Sequence, residues 1–261
     1  MQTILVVGGA GYIGSHTVHQ LLRKGFQVVV VDNLSTGSRQ AIPEKGLTFY
    51  QADILHLEQL KSVFAKHKFD SVFHFVGKLS VPESFTKFFE YYDTNVVGTR
   101  NLLQMCEEYN VNSMVFSSTS AVYGITSTEL VTEDRTLDPK NPYGFTKKAA
   151  EELIAIWAQR MPQFRFQILR YFNVAGAEVD LSNGPRNVNS GQLIMNLCKS
   201  AAGNKNIQIF GNRFNTTDGT AIRDYIHVVD LAAAHIEAFK AIEKSKKSGV
   251  WNCGYGKGYS V

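Results

Sequence analysis

The chain has 261 residues, of which 44% are hydrophobic, and this proportion excludes a disordered chain. Its formal net charge of +4 comes from scattered Lys and Arg, and the one dense basic cluster, 240–247, is explained by a solvated helix end, so we expect no nucleic-acid partner. No segment reaches the roughly 18 apolar residues of a membrane span, and the first predicted strand leaves no room for a signal peptide. We therefore expect a cytoplasmic protein with no membrane partner.

The cysteine and histidine spacings predict no metal site. Cys106, Cys198 and Cys253 are far apart and form no Cys-x-x-Cys motif, which indicates reduced thiols. His16 and His19 have helical spacing, but the sequence places no further ligand near them.

The first predicted element is an apolar strand that runs directly into a glycine-rich turn and a helix. Residues 4–7 read Ile-Leu-Val-Val, and residues 8–14 read Gly-Gly-Ala-Gly-Tyr-Ile-Gly. Glycine at 8, 11 and 14 allows a tight turn and lets the helix N-terminus approach a pyrophosphate. The same spacing also occurs in ordinary loops, so the next strand matters for the interpretation.

The second and third predicted strands both lead to an acid. Strand 27–31 is followed by Asp32, eighteen residues after Gly14. A carboxylate there accepts hydrogen bonds from the ribose hydroxyls and repels a 2′-phosphate, which favours NAD over NADP. The alternative role of Asp32 is a helix or turn cap before Asn33. Asp53 is expected to contact the adenine amine, to cap a helix over 57–67, or both.

Strand-like and helix-like stretches alternate as far as residue 172, which predicts an α/β fold with a doubly wound parallel sheet. The pattern predicts a dinucleotide-binding domain over 1–172 and a smaller substrate lobe over 173–261 that is incomplete at its C-terminus. In the lobe we expect a helix near 191–202, the segment 207–211, and a helix capped by Asp230 that ends near 244. The predicted strands lie near 3–7, 27–31, 47–50, 71–75, 113–117 and 166–170, and long helices are predicted over 90–109 and 143–160.

A hydroxyl, a phenol and an amine follow the fifth predicted strand. Thr119 lies in the run 117–124, and Asn141-Pro142 opens a helix that carries Tyr143 and Lys147 on one face. Because an ammonium stabilises a phenolate, this spacing indicates a tyrosine base that takes an alcohol proton as hydride leaves carbon. The alternatives are a solvated helix face for the Tyr-x-x-x-Lys pair and a simple turn hydroxyl for Thr119.

These residues resemble the extended short-chain dehydrogenase/reductase superfamily, and within it the UDP-glucose 4-epimerase family. The matching segments cover nearly the whole chain in the family's order: 8–16, 31–35, 73–77, 92–99, 116–124, 141–147, 169–173 and 218–228. The resemblance implies a bound NAD that takes hydride from the sugar C4 and returns it to the opposite face of a transient 4-keto sugar. It also implies a homodimer built on helices 90–109 and 143–160.

The resemblance implies that Tyr143 is the general base, that Lys147 holds the nicotinamide ribose, and that Thr119 orients the sugar hydroxyl. The implied substrate contacts are Thr119, Tyr143, Asn173, Gln192, Leu193 and Arg223, and the alternative for Arg223 is a salt bridge with Asp224 or Asp218. The implied cofactor contacts are Gly8, Gly11, Tyr12, Ile13, Gly14, Asp32, Asn33, Asp53, Ile54, Phe75, Val76, Gly77, Lys78, Asn95, Ser117, Tyr143, Lys147 and Tyr171.

Two departures from the family pattern bear on these implications. The loop after His74 reads Gly77-Lys78-Leu79, where the family has Gly-Leu-Lys, and Thr119 stands where Ser is frequent. The run Thr119-Ser120-Ala121 lacks the carboxylate of dehydratases, which counts against a 4,6-dehydratase or decarboxylase. The open alternatives are a related epimerase of UDP-N-acetylhexosamines, uronates or pentoses, and a non-catalytic NAD sensor.

Overall fold

The computed structural model describes residues 1–126, 130–186, 192–203, 206–209 and 211–261. Within these ranges, seven strands form one parallel sheet in the order β3-β2-β1-β4-β5-β6-β9. The predicted doubly wound sheet is confirmed. Its strands are β1 (Thr3–Val7), β2 (Gln27–Asp32), β3 (Thr48–Gln51), β4 (Ser71–His74), β5 (Ser113–Thr119), β6 (Arg165–Tyr171) and β9 (Gly249–Cys253).

Helices cover both faces of this sheet. Because side chains alternate between the faces along each strand, one strand contributes to both apolar cores. Leu5 and Val7 of β1 pack with Phe64 and Ile154 on one face, whereas Ile4 belongs to the apolar core on the other. No helix in the described ranges combines the length and hydrophobicity that crossing a membrane requires. The helices are α1 (Tyr12–Arg23), α2 (Leu57–Phe64), α3 (Val81–Thr86), α4 (Phe88–Tyr92), α5 (Gly98–Glu108), α6 (Pro142–Arg160), α7 (Leu193–Ala202) and α8 (Val228–Ser245).

A second sheet of three strands lies beyond β6. It has the order β10-β8-β7, from β7 (Asn173–Ala175), β8 (Ile222–His227) and β10 (Gly258–Ser260). β7 pairs with β8 in parallel, and β10 pairs with β8 in antiparallel. Since β7 begins two residues after β6 ends, this small sheet continues from the carboxyl edge of the main sheet.

The expected lobe boundary at residue 173 does not hold for residues 228–253. β9 pairs in parallel with β6, so it extends the main sheet by a strand that the sequence analysis did not predict. The apolar face of α8, including Leu231, Ile236 and Phe239, lies in the core that also contains Ile4. The chain therefore leaves the main sheet after β6 and returns to it.

Two helix predictions need correction at their ends. α8 is capped by His227, whose Nδ1 accepts a hydrogen bond from the Val229 N–H at 3.2 Å, and Asp230 lies in the first turn instead. The helix predicted over 57–67 ends at Phe64 and is capped by His56, so the N-cap role considered for Asp53 is wrong.

The helix predicted over 90–109 is helical from 90 to 108 but irregular in its middle. A π-helical turn, Asp93–Val97, separates α4 from α5 and contains the buried Asn95. Single π turns inside α-helices are frequently found at functional sites. Here the turn places the Asn95 side chain against the loop that follows β4.

Candidate active site

The glycine-rich turn closes so tightly that side chains cannot enter it. Gly8 has a φ of +80°, and a Cβ atom there would lie 2.8 Å from the Val76 nitrogen. A Cβ on Gly14 would lie 2.3 Å from the Gly8 carbonyl oxygen. Gly11 is the N-cap of α1 and has no side chain to occupy the first-turn N–H groups. This turn fits a pyrophosphate, because open N–H groups and the helix dipole both favour an anion.

Asp32 ends β2 beside this turn. Its two carboxylate oxygens accept hydrogen bonds from the backbone N–H groups of Ala10, at 2.9 Å, and Leu34, at 2.8 Å. Burial raises the pKa of Asp32, while these two bonds act in the opposite direction. Each oxygen keeps a second lone pair, so the carboxylate can cap the turn and still accept from ribose hydroxyls.

The ends of β2 and β3 are joined by an Asn–Asp contact. Asn33 Nδ2 donates to Asp53 Oδ2 at 2.8 Å, and Asp53 Oδ1 accepts from the Leu55 N–H at 2.9 Å. Ile54 is buried, and the Asn101 side chain donates to its carbonyl oxygen. An open cleft of about 260 Å³ lies at this edge and is lined by Asn33, Gln51, Ala52, Asp53, His56 and Gln59.

The start of α6 brings Tyr143 to Thr119. Asn141 caps the helix by accepting from the Gly144 N–H at 2.8 Å, and Pro142 occupies its first turn. A hydrogen bond with Thr119 lowers the pKa of the Tyr143 phenol, although burial, the larger effect, raises it. Thr119 Oγ1 also accepts from the Ala121 N–H at 3.1 Å, so the turn role considered for Thr119 occurs together with the contact to Tyr143.

Lys147 lies one helical turn after Tyr143 and is 4% exposed. Its ammonium is 4.4 Å from the centroid of the Phe116 ring. A Cβ on Gly77 would lie 3.4 Å from Lys147 Nζ, so the loop after β4 packs closely over the ammonium. Burial lowers the pKa of Lys147 to about 8, and the Glu151 carboxylate partly offsets this effect. The solvated helix face considered for this lysine is therefore wrong.

Asn95 holds the loop after β4 in place. Its Oδ1 accepts from the Lys78 N–H at 2.8 Å, and its Nδ2 donates to the Lys78 carbonyl oxygen and to Thr146 Oγ1. The Lys78 ammonium forms an ion pair with Glu90 at 2.7 Å. Lys78 thus contributes its backbone to the site, while its charged group is directed to α4.

Tyr171 ends β6 and pairs with Thr119 at the end of β5. Its hydroxyl is hydrogen-bonded to Ser117 Oγ, and burial raises its pKa well above the ordinary value, with a smaller contribution from Tyr143. The buried His235 of α8 lies beside it, with ring centroids 6.1 Å apart, and lies 4.6 Å from the Phe75 ring. His235 is not among the predicted site residues, because the sequence pattern places its helix in the substrate lobe.

The predicted substrate contacts other than Thr119 and Tyr143 lie on the small sheet and at the start of α7. Asn173 and Arg223 are exposed on β7 and β8, and within the described ranges Arg223 forms no ion pair with Asp224 or Asp218. Asp224 accepts instead from the N–H groups of Tyr255 and Gly256. Gln192 caps α7 and Leu193 is its first residue, whereas the adjoining residues 187–191 lie outside the described part of the chain.

The site combines a tight glycine turn, an acid at the end of β2, Thr119 at the end of β5, and Tyr143 and Lys147 in the first turns of α6. These features define a dinucleotide-dependent enzyme of the short-chain dehydrogenase/reductase type. A model of the NAD dependent epimerase/dehydratase family matches residues 4–254. The chain belongs to this family.

Named relatives are similar over nearly the whole chain. UDP-glucose 4-epimerase of Lactobacillus helveticus is 46% identical over 98% of this chain and 78% of its own length. The enzyme of Bacillus subtilis (strain 168) with the same name is 42% identical over 99% of this chain and 78% of its own length. The crystal structure of UDP-glucose 4-epimerase from Brucella ovis in complex with NAD is 39% identical, with a TM-score of 0.95, over 100% of this chain and 79% of its own.

Proposed function

We propose that this chain is an isomerase that interconverts UDP-glucose and UDP-galactose as an NAD-dependent 4-epimerase. The observation that carries the proposal is the Thr119–Tyr143 hydrogen bond with the buried Lys147 one turn away. The relatives named UDP-glucose 4-epimerase support the choice of substrate, because their similarity extends over both the main sheet and the substrate side.

The residues at the carboxyl edge of the sheet fit NAD. The turn that Gly8, Gly11 and Gly14 close would bind a pyrophosphate through the first-turn N–H groups of α1, and Asp32 would accept from the adenosine ribose. Lys147 would hold the nicotinamide ribose, since its ammonium lies under the loop that contains Gly77. When bound, NAD supplies the hydride acceptor and donor for carbon 4 of the sugar.

Tyr143 is the group that moves the proton. Burial raises the pKa of the Tyr143 phenol, and the hydrogen bond with Thr119 partly offsets this effect. The phenolate takes the proton from the sugar 4-hydroxyl, and the Lys147 cation one turn along α6 would favour that phenolate. Tyr143 returns that proton when the sugar is reduced on its other face. Asn173 and Arg223, both exposed on the small sheet, would bind the diphosphate, for which the planar guanidinium of Arg is well suited.

The direct test is to incubate the purified protein with UDP-galactose and to measure UDP-glucose. We expect UDP-glucose to form without net accumulation of NADH, because the cofactor is unchanged over the cycle. A panel of UDP-N-acetylhexosamines, UDP-uronates and UDP-pentoses tests the related epimerases. A 4-keto-6-deoxy sugar product would indicate a dehydratase instead, and no turnover of any of these sugars would contradict the proposal.

For the assembly, we propose a homodimer formed by the predicted helix 90–109, whose first residues belong to α4, and by α6. Large apolar side chains are exposed on α4 and α6, with Phe89 79% exposed, Ile156 64% and Phe145 47%. The rings of Phe89 and Phe145 both contact Phe88, so they belong to one exposed apolar patch, which is typical of a protein interface. Light scattering of the wild type and of Phe89→Asp tests this assembly: a monomeric wild type would contradict it.

A further inference from the structure

A buried ion pair lies directly beneath the catalytic helix. The side chains of Glu151 and Arg170 are 4% and 6% exposed. Arg170 Nε donates to both carboxylate oxygens at 3.1 Å, and its Nη2 donates to Oε2 at 2.6 Å. Ser118 Oγ donates to the remaining position on Oε1. The carboxylate is thus fixed on all sides by donors from β5 and β6.

Glu151 belongs to α6 and contacts β5, and these two elements carry the reacting groups. Glu151 lies one turn beyond Lys147 on α6, just as Lys147 lies one turn beyond Tyr143. Ser118 lies in β5 next to Thr119, which is hydrogen-bonded to Tyr143. A change at Glu151 therefore alters the link between α6 and the end of β5.

The Glu151 carboxylate lies one helical turn from Lys147, and although it is paired with Arg170, its negative charge favours the protonated form of Lys147. The Lys147 ammonium lies against the Phe116 ring, and burial disfavours its protonated form. His74 of β4 adds no charge, because burial and Lys147 lower its pKa to about 3. Further titratable or charged groups on α6 and on the elements packed against it include Tyr143 on α6, Arg170 and Tyr171 on β6, and Glu90 on α4, which pairs with Lys78.

We propose that Glu151 is a positioning residue of the reaction: it keeps Lys147 protonated and holds Thr119 in register with Tyr143. This inference rests on the proposed function, because it assigns Glu151 a part in the same proton transfer. It predicts a specific change in pH dependence, which a residue with only a structural role would not produce.

The first experiment compares Glu151→Gln with Ser118→Ala in the holoenzyme. Gln keeps the size and much of the hydrogen bonding but removes the charge, whereas Ser118→Ala removes one hydrogen bond and keeps both charges. In Glu151→Gln we expect the alkaline limb of the kcat profile to move to lower pH by about one pH unit, because Lys147 loses its proton earlier. In Ser118→Ala the limb stays in place.

A uniform loss of rate in Glu151→Gln, with the limb unmoved, would overturn the proposal. If Arg170 without its partner prevents folding, Glu151→Gln/Arg170→Gln replaces the single variant, since it removes both charges and leaves two amides in contact. The limb is then expected to move in the same direction but less far, because loss of the Arg170 cation favours the protonated form of Lys147.

The second experiment does not depend on turnover. Lysine labelled with ¹³C at Cε is followed by NMR in the holoenzyme, and Lys147→Met assigns the Lys147 signal. The titration midpoint of Lys147 should fall in Glu151→Gln and stay near the wild-type value in Ser118→Ala. An unchanged midpoint would overturn the proposal, even if the wild type epimerises UDP-galactose. A lowered Lys147 midpoint in a protein without epimerase activity would contradict the proposed function but not the effect of Glu151 on Lys147.

Discussion

At the scale of single residues, Tyr143 is the side chain on which the proposed proton transfer depends. Tyr143→Phe keeps the ring but removes the hydroxyl that bonds to Thr119. We expect turnover of UDP-galactose to fall about 10²–10⁴-fold, as is usual for loss of a general base, with NAD still bound. The matched control is Tyr109→Phe, at the end of α5 and remote from the site. Near wild-type turnover in Tyr143→Phe would show that the phenol is structural.

Asp32 gives a second prediction at this scale. Asp32→Ala removes the acceptor of the Ala10 and Leu34 N–H groups together with the expected acceptor of the ribose hydroxyls. Since a hydrogen bond to a charged group contributes about 1.5–3 kcal/mol, NAD affinity should fall about 10–100-fold or more. NADP should become relatively less disfavoured. A cofactor titration of the refolded apo-protein measures both, and an unchanged affinity for NAD would contradict the assignment.

The packing of the glycine turn predicts that alanine is tolerated less well at Gly14 than at Gly11. A Cβ on Gly14 would lie 2.3 Å from the Gly8 carbonyl oxygen, a backbone atom that cannot move without opening the turn. A Cβ on Gly11 would lie 3.2 Å from the same oxygen, which a small shift relieves. We expect Gly14→Ala to reduce NAD affinity strongly and Gly11→Ala to reduce it less. Equal affinities of the two variants, measured by the same titration, would argue against this packing.

The accuracy of the sequence predictions depended on how locally each element is specified. β2 could be predicted because Val28 to Val31 are all buried, which gives a continuous apolar run. β9 could not, since its residues are mostly half-exposed and the pairing with β6 crosses a long stretch of chain. The sequence favours Asp230 as the N-cap of α8, because aspartate is a far commoner cap than histidine, whereas His227 occupies the N-cap position in the structure.

The same difference between local and long-range information applies to the candidate site. Tyr143 and Lys147 could be predicted because their roles follow from spacing on one helix. Glu151 continues that spacing by one more turn, and this signal was available in the sequence. Arg170 and Ser118 were not recognisable as its partners, since β5 and β6 meet only in the folded sheet. Helical spacing therefore predicts which residues share a face, but not which residues of other elements that face contacts.

At the scale of the whole molecule, buried histidines predict a loss of stability in acid. Burial lowers the pKa of His74 to about 3 and that of His235 to about 4. Between pH 6.5 and 4 the unfolded chain binds protons that these folded side chains do not, so their contribution to stability is complete above pH 6.5 and is lost as the pH falls. Each histidine adds a slope of up to about 1.4 kcal/mol per pH unit.

His235→Gln should make this dependence shallower, because glutamine does not titrate and can still donate to the Leu231 carbonyl oxygen. The measurement is the free energy of unfolding in urea at pH 7 and pH 5, with NAD held at one concentration. His56→Gln, at an exposed position, is the control and should leave the slope unchanged. An unchanged slope in His235→Gln would mean that His235 is already protonated in the folded protein.

The return of α8 and β9 to the main sheet affects how the protein can be synthesised. The Gln20 side chain of α1 donates to the Val229 carbonyl oxygen, 209 positions later in the chain, and Ile4 shares its core with Phe239. While the ribosome is still adding residues before α8, one face of the sheet lacks its cover and β6 has an open edge. Because exposed apolar surface and unpaired strand edges promote aggregation, the nascent chain is most vulnerable during this interval. The core around Ile4 of β1, the first strand of the sheet, is therefore completed only after α8 has been added.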